Sequence, residues 1–301
     1  MLSYTERRNL FGSLTKDGST ANLLIGDRLM NSVVREVVKK KPFDFLKKTK
    51  TALTEASVQF YKLPYDCGKL ISPPTITIAG TVYTPRKCSS REEWDRLNQN
   101  TNITSNIPER YIVFGGQVGF YPKPSAGSNT ITFVYSKLVK DLSIADYTTG
   151  GILTTTNAGA SIVGTGTSWA IGMAGMWLRI TDDTAANKGD GVWYEIDSVS
   201  STTALTLEKN YEGVSIAAGN AGYTIGQMSI LPYGFGILPV YRACQIYHST
   251  LKPDKFLAAE FKELYRESYL SLIENHSLET FDPVILDEEV EIINPNLSVW
   301  L

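Results

Sequence analysis

The sequence predicts an α+β protein. Its helical core, an N-terminal helix plus a C-terminal helix pair, carries β-hairpins and is interrupted by an inserted all-β domain of sandwich or barrel type. Three observations predict this. Charge-rich stretches with helical spacing of apolar residues lie at both ends. Glycine turns separate strand-like runs between residues 75 and 135. The stretch 145–226 is poor in charge and rich in Gly, Thr, Ser and Ala. The expected division is a discontinuous core of 1–144 and 228–276, an inserted β domain at 145–227, and an extended tail at 277–301.

The elements follow in order. Leu23, Met30, Val33, Val34, Val37 and Val38 recur at helical spacing, so a helix is expected over 20–41, stopped by Pro42. Phe43, Phe45 and Leu46 form an aromatic knot. Strand-like stretches follow at 49–58 and around Phe60, Tyr61 and Leu63. A hairpin is expected at 75–78 and 82–84 around Ala79-Gly80-Thr81, and a second across Gly115-Gly116. Ser90 with Glu93 reads as a capping box for a helix at 91–98. Another strand is expected at 130–139. In the insert, strands are expected at 152–156, 160–163, 177–181, 191–199, 204–207 and 223–225. Two C-terminal helices, 238–251 and 255–274, are separated by Pro253, with Asp254 as N-cap.

Composition bounds the function. The chain has 301 residues, 43% hydrophobic and 20% charged, enough for two packed domains. No apolar run reaches the ~18–20 residues of a membrane span, and the charged start MLSYTERRNLFGS is unlike a secretion signal. Cys67, Cys88 and Cys244 have no pairing motif and read as free, buried thiols. The net charge of −2 offers no bulk attraction to nucleic acid. The charge is nevertheless uneven. Residues 1–60 carry eleven Lys/Arg against six Asp/Glu, and residues 231–301 carry five against eleven. A basic face on one copy could meet an acidic face on the next.

No catalytic motif stands out. Gly164-Thr165-Gly166-Thr167-Ser168 lacks the lysine and spacing of a phosphate loop and reads as a turn. Asp182, Asp183, Asp190 and Asp197 could offer oxygens to calcium, but not at the spacing of a calcium loop. Glu92, Glu93 and Asp95 are the carboxylates a sugar hydrolase would need, yet a short exposed helix makes them cap and solubility residues. His248 and His276 have no metal-ligand partners and read as surface or interface histidines. Trp177 and Trp193 would form a glycan platform if exposed; the alternative is burial in the β core. The tail carries Asp287, Glu288, Glu289 and Glu291 and ends in Val299-Trp300-Leu301, an apolar anchor that reads as a docking point on another subunit.

Three stretches, spanning roughly 20–140 and 230–275, carry a resemblance. They are Pro42-Phe43-Asp44-Phe45-Leu46 with Gln59-Phe60-Tyr61-Lys62-Leu63-Pro64-Tyr65-Asp66, then the Gly115-Gly116 hairpin leading to Phe120-Tyr121-Pro122-Lys123-Pro124, and Ile230-Leu231-Pro232 before the paired helices with Tyr265. In this order they resemble the head-to-tail adaptor (connector) proteins of tailed bacteriophages. Residues 145–226 depart from smaller adaptors and look like the small β modules inserted in phage virion proteins, with the Gly-Thr-Gly-Thr-Ser turn here leading to Trp169. The resemblance implies a structural protein without enzyme activity, cofactor or metal. It implies a ring of roughly twelve copies in the neck of the virion, assembled in the host cytoplasm. The partners would be the portal protein, neighbouring copies and a downstream tail, nozzle or stopper protein, with DNA passing through the lumen and no membrane. The tail residues Asp287, Glu288, Glu289, Glu291, Val299, Trp300 and Leu301 would then contact the portal or a neighbouring subunit. The alternative is a peptidoglycan-degrading or glycan- or receptor-binding phage protein.

Overall fold

The structure is a computed structural model and describes residues 1–99, 103–148, 150–181 and 188–278. Backbone contacts divide the chain into two compact units: residues 42–140, and residues 1–41 together with the chain from Asp141 onward.

The second of these units begins with a helix that the spacing of apolar residues did not announce, α1 (Tyr4–Leu14), followed by α2 (Thr20–Lys40). Helix α1 opens on a complete capping box: Ser3 Oγ accepts from Glu6 N–H, and the Glu6 carboxylate accepts from Ser3 N–H. The α2 residues Met30, Val33, Val34 and Val37 are buried, as their spacing requires. The two helices approach closely because position 26 is glycine; a Cβ there would lie 2.4 Å from the Phe11 ring.

Residues 42–140 hold β1 (Lys47–Leu53), β2 (Phe60–Lys62), β3 (Cys67–Leu70), β4 (Thr75–Ile78), β5 (Thr81–Tyr83), β6 (Arg86–Lys87), α3 (Arg91–Leu97), β7 (Arg110–Phe114), β8 (Gln117–Tyr121) and β9 (Thr130–Lys137). They form a five-stranded sheet, β1-β9-β4-β5 with β3 also on β9, and a four-stranded sheet, β2-β8-β7-β6. Both hairpin turns need positive φ, which the glycines adopt freely and Ala79 adopts at some cost. Ala79 and Gly80 have φ of 47° and 83°, and Gly115 and Gly116 have 58° and 73°. Strand β9 alternates as a half-buried strand must: Ile131, Phe133 and Tyr135 point into a core shared with Tyr61, Ile76, Tyr111, Val118 and Phe120. Beside it, Trp94 of α3 packs on Phe60, Cys88 and Ile112. The Ser90 cap differs from the expected box. Ser90 Oγ accepts from Glu93 N–H, but the Glu93 carboxylate turns to Ser89 N–H and Oγ.

After Asp141 the chain enters β10 (Ile152–Thr155), β11 (Ser161–Thr165), β12 (Trp177–Ile180), β13 (Tyr194–Ser201), β14 (Ala204–Leu207), β15 (Ile216–Ala221) and β16 (Tyr223–Gly226). They form one sheet in the order β15-β10-β11-β14-β13-β12-β16. Its two end strands are one continuous run of chain. Ala221 of β15 pairs with Leu153 of β10, and only Gly222 separates it from Tyr223 of β16, which pairs with Ile180 of β12. The ladder therefore curls round on itself in the manner of a small barrel. Leu153, Ile162, Trp169, Leu178, Ile196, Leu205, Tyr211 and Ile225 fill its interior. Trp169 donates its indole N–H to the Tyr223 hydroxyl at 2.9 Å, and that hydroxyl donates to Gly150 O at 2.8 Å, so both buried polar groups are satisfied.

The chain returns to helix in α4 (Leu238–Ile246), a π-helical turn (Tyr247–Leu251) and α5 (Lys255–His276). Asp254 caps α5 by accepting from Phe256 and Leu257 N–H. Phe11, Met30, Val240, Ala243, Cys244, Tyr247 and Phe261 make the helical core.

Candidate interaction surfaces

The helices and the barrel meet at the first turn of α1. Besides its capping bonds, Ser3 Oγ donates to Asp146 Oδ2 at 2.5 Å, and Thr5 Oγ1 accepts from Asp146 N–H at 2.9 Å. Tyr4 N–H donates to Gln227 O at 2.9 Å, and Arg179 of β12 reaches the Glu6 carboxylate at 3.1 Å. The two crossings of the chain, into the barrel and out of it, thus converge on one cap. They also pair with each other, because Tyr147 and Ile225 exchange backbone hydrogen bonds of 2.7 and 2.9 Å.

Next to this junction runs an apolar groove of about 380 Å³. One wall is the entering segment, Ile144 to Thr148. The other is the turn holding Ala170, Gly172, Met173 and Met176. Ile171 stands on its lip, 82% exposed. Before the groove, the entering segment is tied along α2: Asn31 exchanges two hydrogen bonds with the backbone of Leu142, and Arg35 binds the Asp141 carboxylate. Arg28, Arg35 and Lys39 form an exposed basic stripe on that helix.

Arg7 of α1 presents the opposite situation. It is 1% exposed, and Nε, Nη1 and Nη2 all lack hydrogen-bond partners. Burial lowers its pKa to about 10, with the Asp27 carboxylate opposing the shift. Asp27 itself accepts from the Tyr4 hydroxyl at 2.9 Å and lies 3.3 Å from Arg8 Nε.

The sequence-level candidates fall as follows. Asp287, Glu288, Glu289, Glu291, Val299, Trp300 and Leu301 lie outside the described residues, as do Asp182 and Asp183. Asp190 accepts from Val192 N–H and from the Tyr194 hydroxyl, holding its own loop. No group of three potential metal ligands occurs among the described residues. Gly164–Ser168 leads into a turn, where Thr167 Oγ1 donates to Thr202 O. Glu93 is held below the usual carboxylate range by Ser89, with Arg110 adding to the effect, and Asp95 pairs with Arg91 on the same exposed helix. Trp193 is buried beneath Arg179 and Trp177 is half-buried, so neither offers an open aromatic platform. His248 corrects an expectation. It is buried rather than at the surface, stacked on Phe261, with both ring nitrogens unpartnered. Cys88 and Cys244 are buried and Cys67 is half-buried; all three are free thiols, and burial pushes Cys244 up to about 12.

The described residues display a joint at the α1 cap, an apolar groove beside it and a basic stripe on α2. The family model for the SU10 adaptor protein matches residues 8–191, and the chain belongs to that family. It is thereby a bacteriophage adaptor with a structural role. No curated protein matches the chain. No described helix is long and apolar enough to cross a membrane.

Proposed function

We propose that the protein forms a ring of roughly twelve copies beneath the portal, joins capsid to tail, and lets DNA pass through its lumen during ejection. The observation that carries this reading is membership of the SU10 adaptor protein family. The chain's own physics supports it. A net charge of −2 suits a channel that must not hold DNA. Opposite charge on the first sixty and last seventy-one residues gives copies a way to bind side by side. The partners in this reading are the portal protein, the neighbouring copies and a downstream tail, nozzle or stopper protein. The place is the neck of the virion, after assembly in the host cytoplasm.

Residues 145–227 are, in the same reading, a module inserted into an adaptor core of 1–144 and 228–276. The meeting of Tyr147 with Ile225 supports this, because an insert should enter and leave at neighbouring points. Asp287, Glu288, Glu289, Glu291 and Val299-Trp300-Leu301 act as an interaction tail. The peptidoglycan-hydrolase and glycan-binding alternatives gain no support from Glu93, bonded to Ser89, or from the buried Trp193.

The test is an image of the assembled particle with this protein labelled. Density for the label in a ring at the head-tail junction is expected. A label on the capsid shell or at a fibre tip would refute the reading.

A further inference from the structure

The groove beside the α1 cap is a built feature. Its first wall is pinned to the barrel by the Tyr147–Ile225 hydrogen bonds. Its second wall is a tight turn closed by Met173 N–H to Ala170 O at 2.9 Å and Met176 N–H to Met173 O at 3.0 Å, and joined to the barrel by Gly175 N–H to Ile196 O at 2.7 Å. The lining is mostly apolar, with Ile144, Ala145, Met173 and Met176 beside Tyr147, and with Asp146 and Thr148 as its polar members. Methionines adapt to an incoming ring and make favourable sulfur–aromatic contacts. Leaving Ile144 and Ile171 in water beside such a groove is costly unless something covers them.

We propose that this groove receives Val299-Trp300-Leu301 of a neighbouring copy. The proposal rests on the ring reading above and names the contact through which one copy holds the next. Residues 279–301 can reach up to roughly 75 Å when extended, ample to cross to an adjacent subunit. The end of that segment has the right chemistry, one large aromatic flanked by two aliphatics, and 380 Å³ accommodates such an anchor. The approach is matched in charge. Asp287, Glu288, Glu289 and Glu291 precede Trp300 by nine to thirteen residues. Arg28 and Lys39 are exposed on α2, the helix to which the groove's entering segment is tied through Asn31–Leu142 and the Arg35–Asp141 pair. An acidic stretch lying on that stripe leaves enough chain, about 30 Å when extended, to set the anchor in the groove. Donated from copy to copy, this is a head-to-tail contact of the kind that closes rings.

The experiment mixes two full-length variants, Gly172→Cys and Ser298→Cys, under slow oxidation. Position 172 lines the groove, and a Cβ there meets nothing within 4 Å, so the cysteine fits without strain. A disulfide-linked pair of the two chains is expected, well above the level given by Val214→Cys on an exposed barrel loop. Adding Trp300→Ala to the Ser298→Cys chain should lower it about tenfold, as loss of a central hot spot does. Cross-linking no greater than the control would overturn the proposal. So would cross-linking indifferent to Trp300, or a bond found only within single chains of the Gly172→Cys/Ser298→Cys double variant. Particle images keep the two readings apart. A neck ring without the cross-link sinks the groove contact alone, and the cross-link without a neck position sinks the ring alone.

Discussion

Replacing Arg7 by methionine should make the protein more stable. Arg7 is 1% exposed, and its three guanidinium nitrogens make no hydrogen bond. The fall of its pKa from 12.5 to about 10 corresponds to roughly 3 kcal/mol held against the charged form. Because the folded pKa lies below the unfolded one, this penalty is in force at neutral pH and is relieved only as pH rises past about 10. Methionine fills similar volume and removes the charge. Asp27 would lose one favourable neighbour but keep the Tyr4 hydroxyl at 2.9 Å and Arg8 at 3.3 Å. The balance is a gain of about 1–3 kcal/mol, or a thermal midpoint higher by roughly 3–8 °C. Arg7→Lys, which keeps a buried charge, should give no such gain. Differential scanning calorimetry of the three proteins at neutral pH decides the matter. A midpoint that falls in Arg7→Met would mean that Arg7 is satisfied in solution, and the account of an uncompensated buried charge would fail.

Three further outcomes are expected. Gly26→Ala should destabilise by about 1–3 kcal/mol despite alanine's helix propensity, because its Cβ would fall 2.4 Å from the Phe11 ring, whereas Gly18→Ala, with nothing within 4 Å, should be near neutral in the same melts. The Asp17 carboxyl is held well below its usual range by Lys252 and by hydrogen bonds from Ser19, so the stability it confers is complete above about pH 4 and is lost as acid protonates it; urea midpoints at pH 6 and pH 3 should differ less in Asp17→Asn than in the parent. Replacing residues 145–226 by a short Gly/Ser linker should preserve the helical circular dichroism signal, since Tyr147 and Ile225 are already paired; loss of that signal would show that the barrel is part of the helical fold.

Much of the architecture was legible because local rules were decisive. Gly80 and Gly115-Gly116 announce their turns by the positive φ that glycine alone adopts freely, and β9 announces itself by alternation. Helix α1 was missed because only Tyr4, Arg7, Phe11 and Gly12 are buried along it, giving no clear apolar stripe. The Ser3-x-x-Glu6 capping box was the signal to heed, stronger than the one expected at Ser90. Strand β15, Ile216–Ala221, was missed because Ala-Ala-Gly-Asn carries little β propensity; its place is set by β10 beside it. The groove was not readable at all, since its walls are placed by long-range contacts, Tyr147 with Ile225 on one side and Gly175 with Ile196 on the other.

One continuous run, Ile216 to Gly226, serves as both ends of the seven-stranded ladder. A sheet whose first and last strands are the same piece of chain turns back on itself and leaves only short stretches of rim to recruit a foreign strand. Where many copies of one protein are crowded together, an open rim would invite fibres instead of a closed assembly. At the barrel's seam it is side chains, rather than bare backbone, that meet whatever packs there.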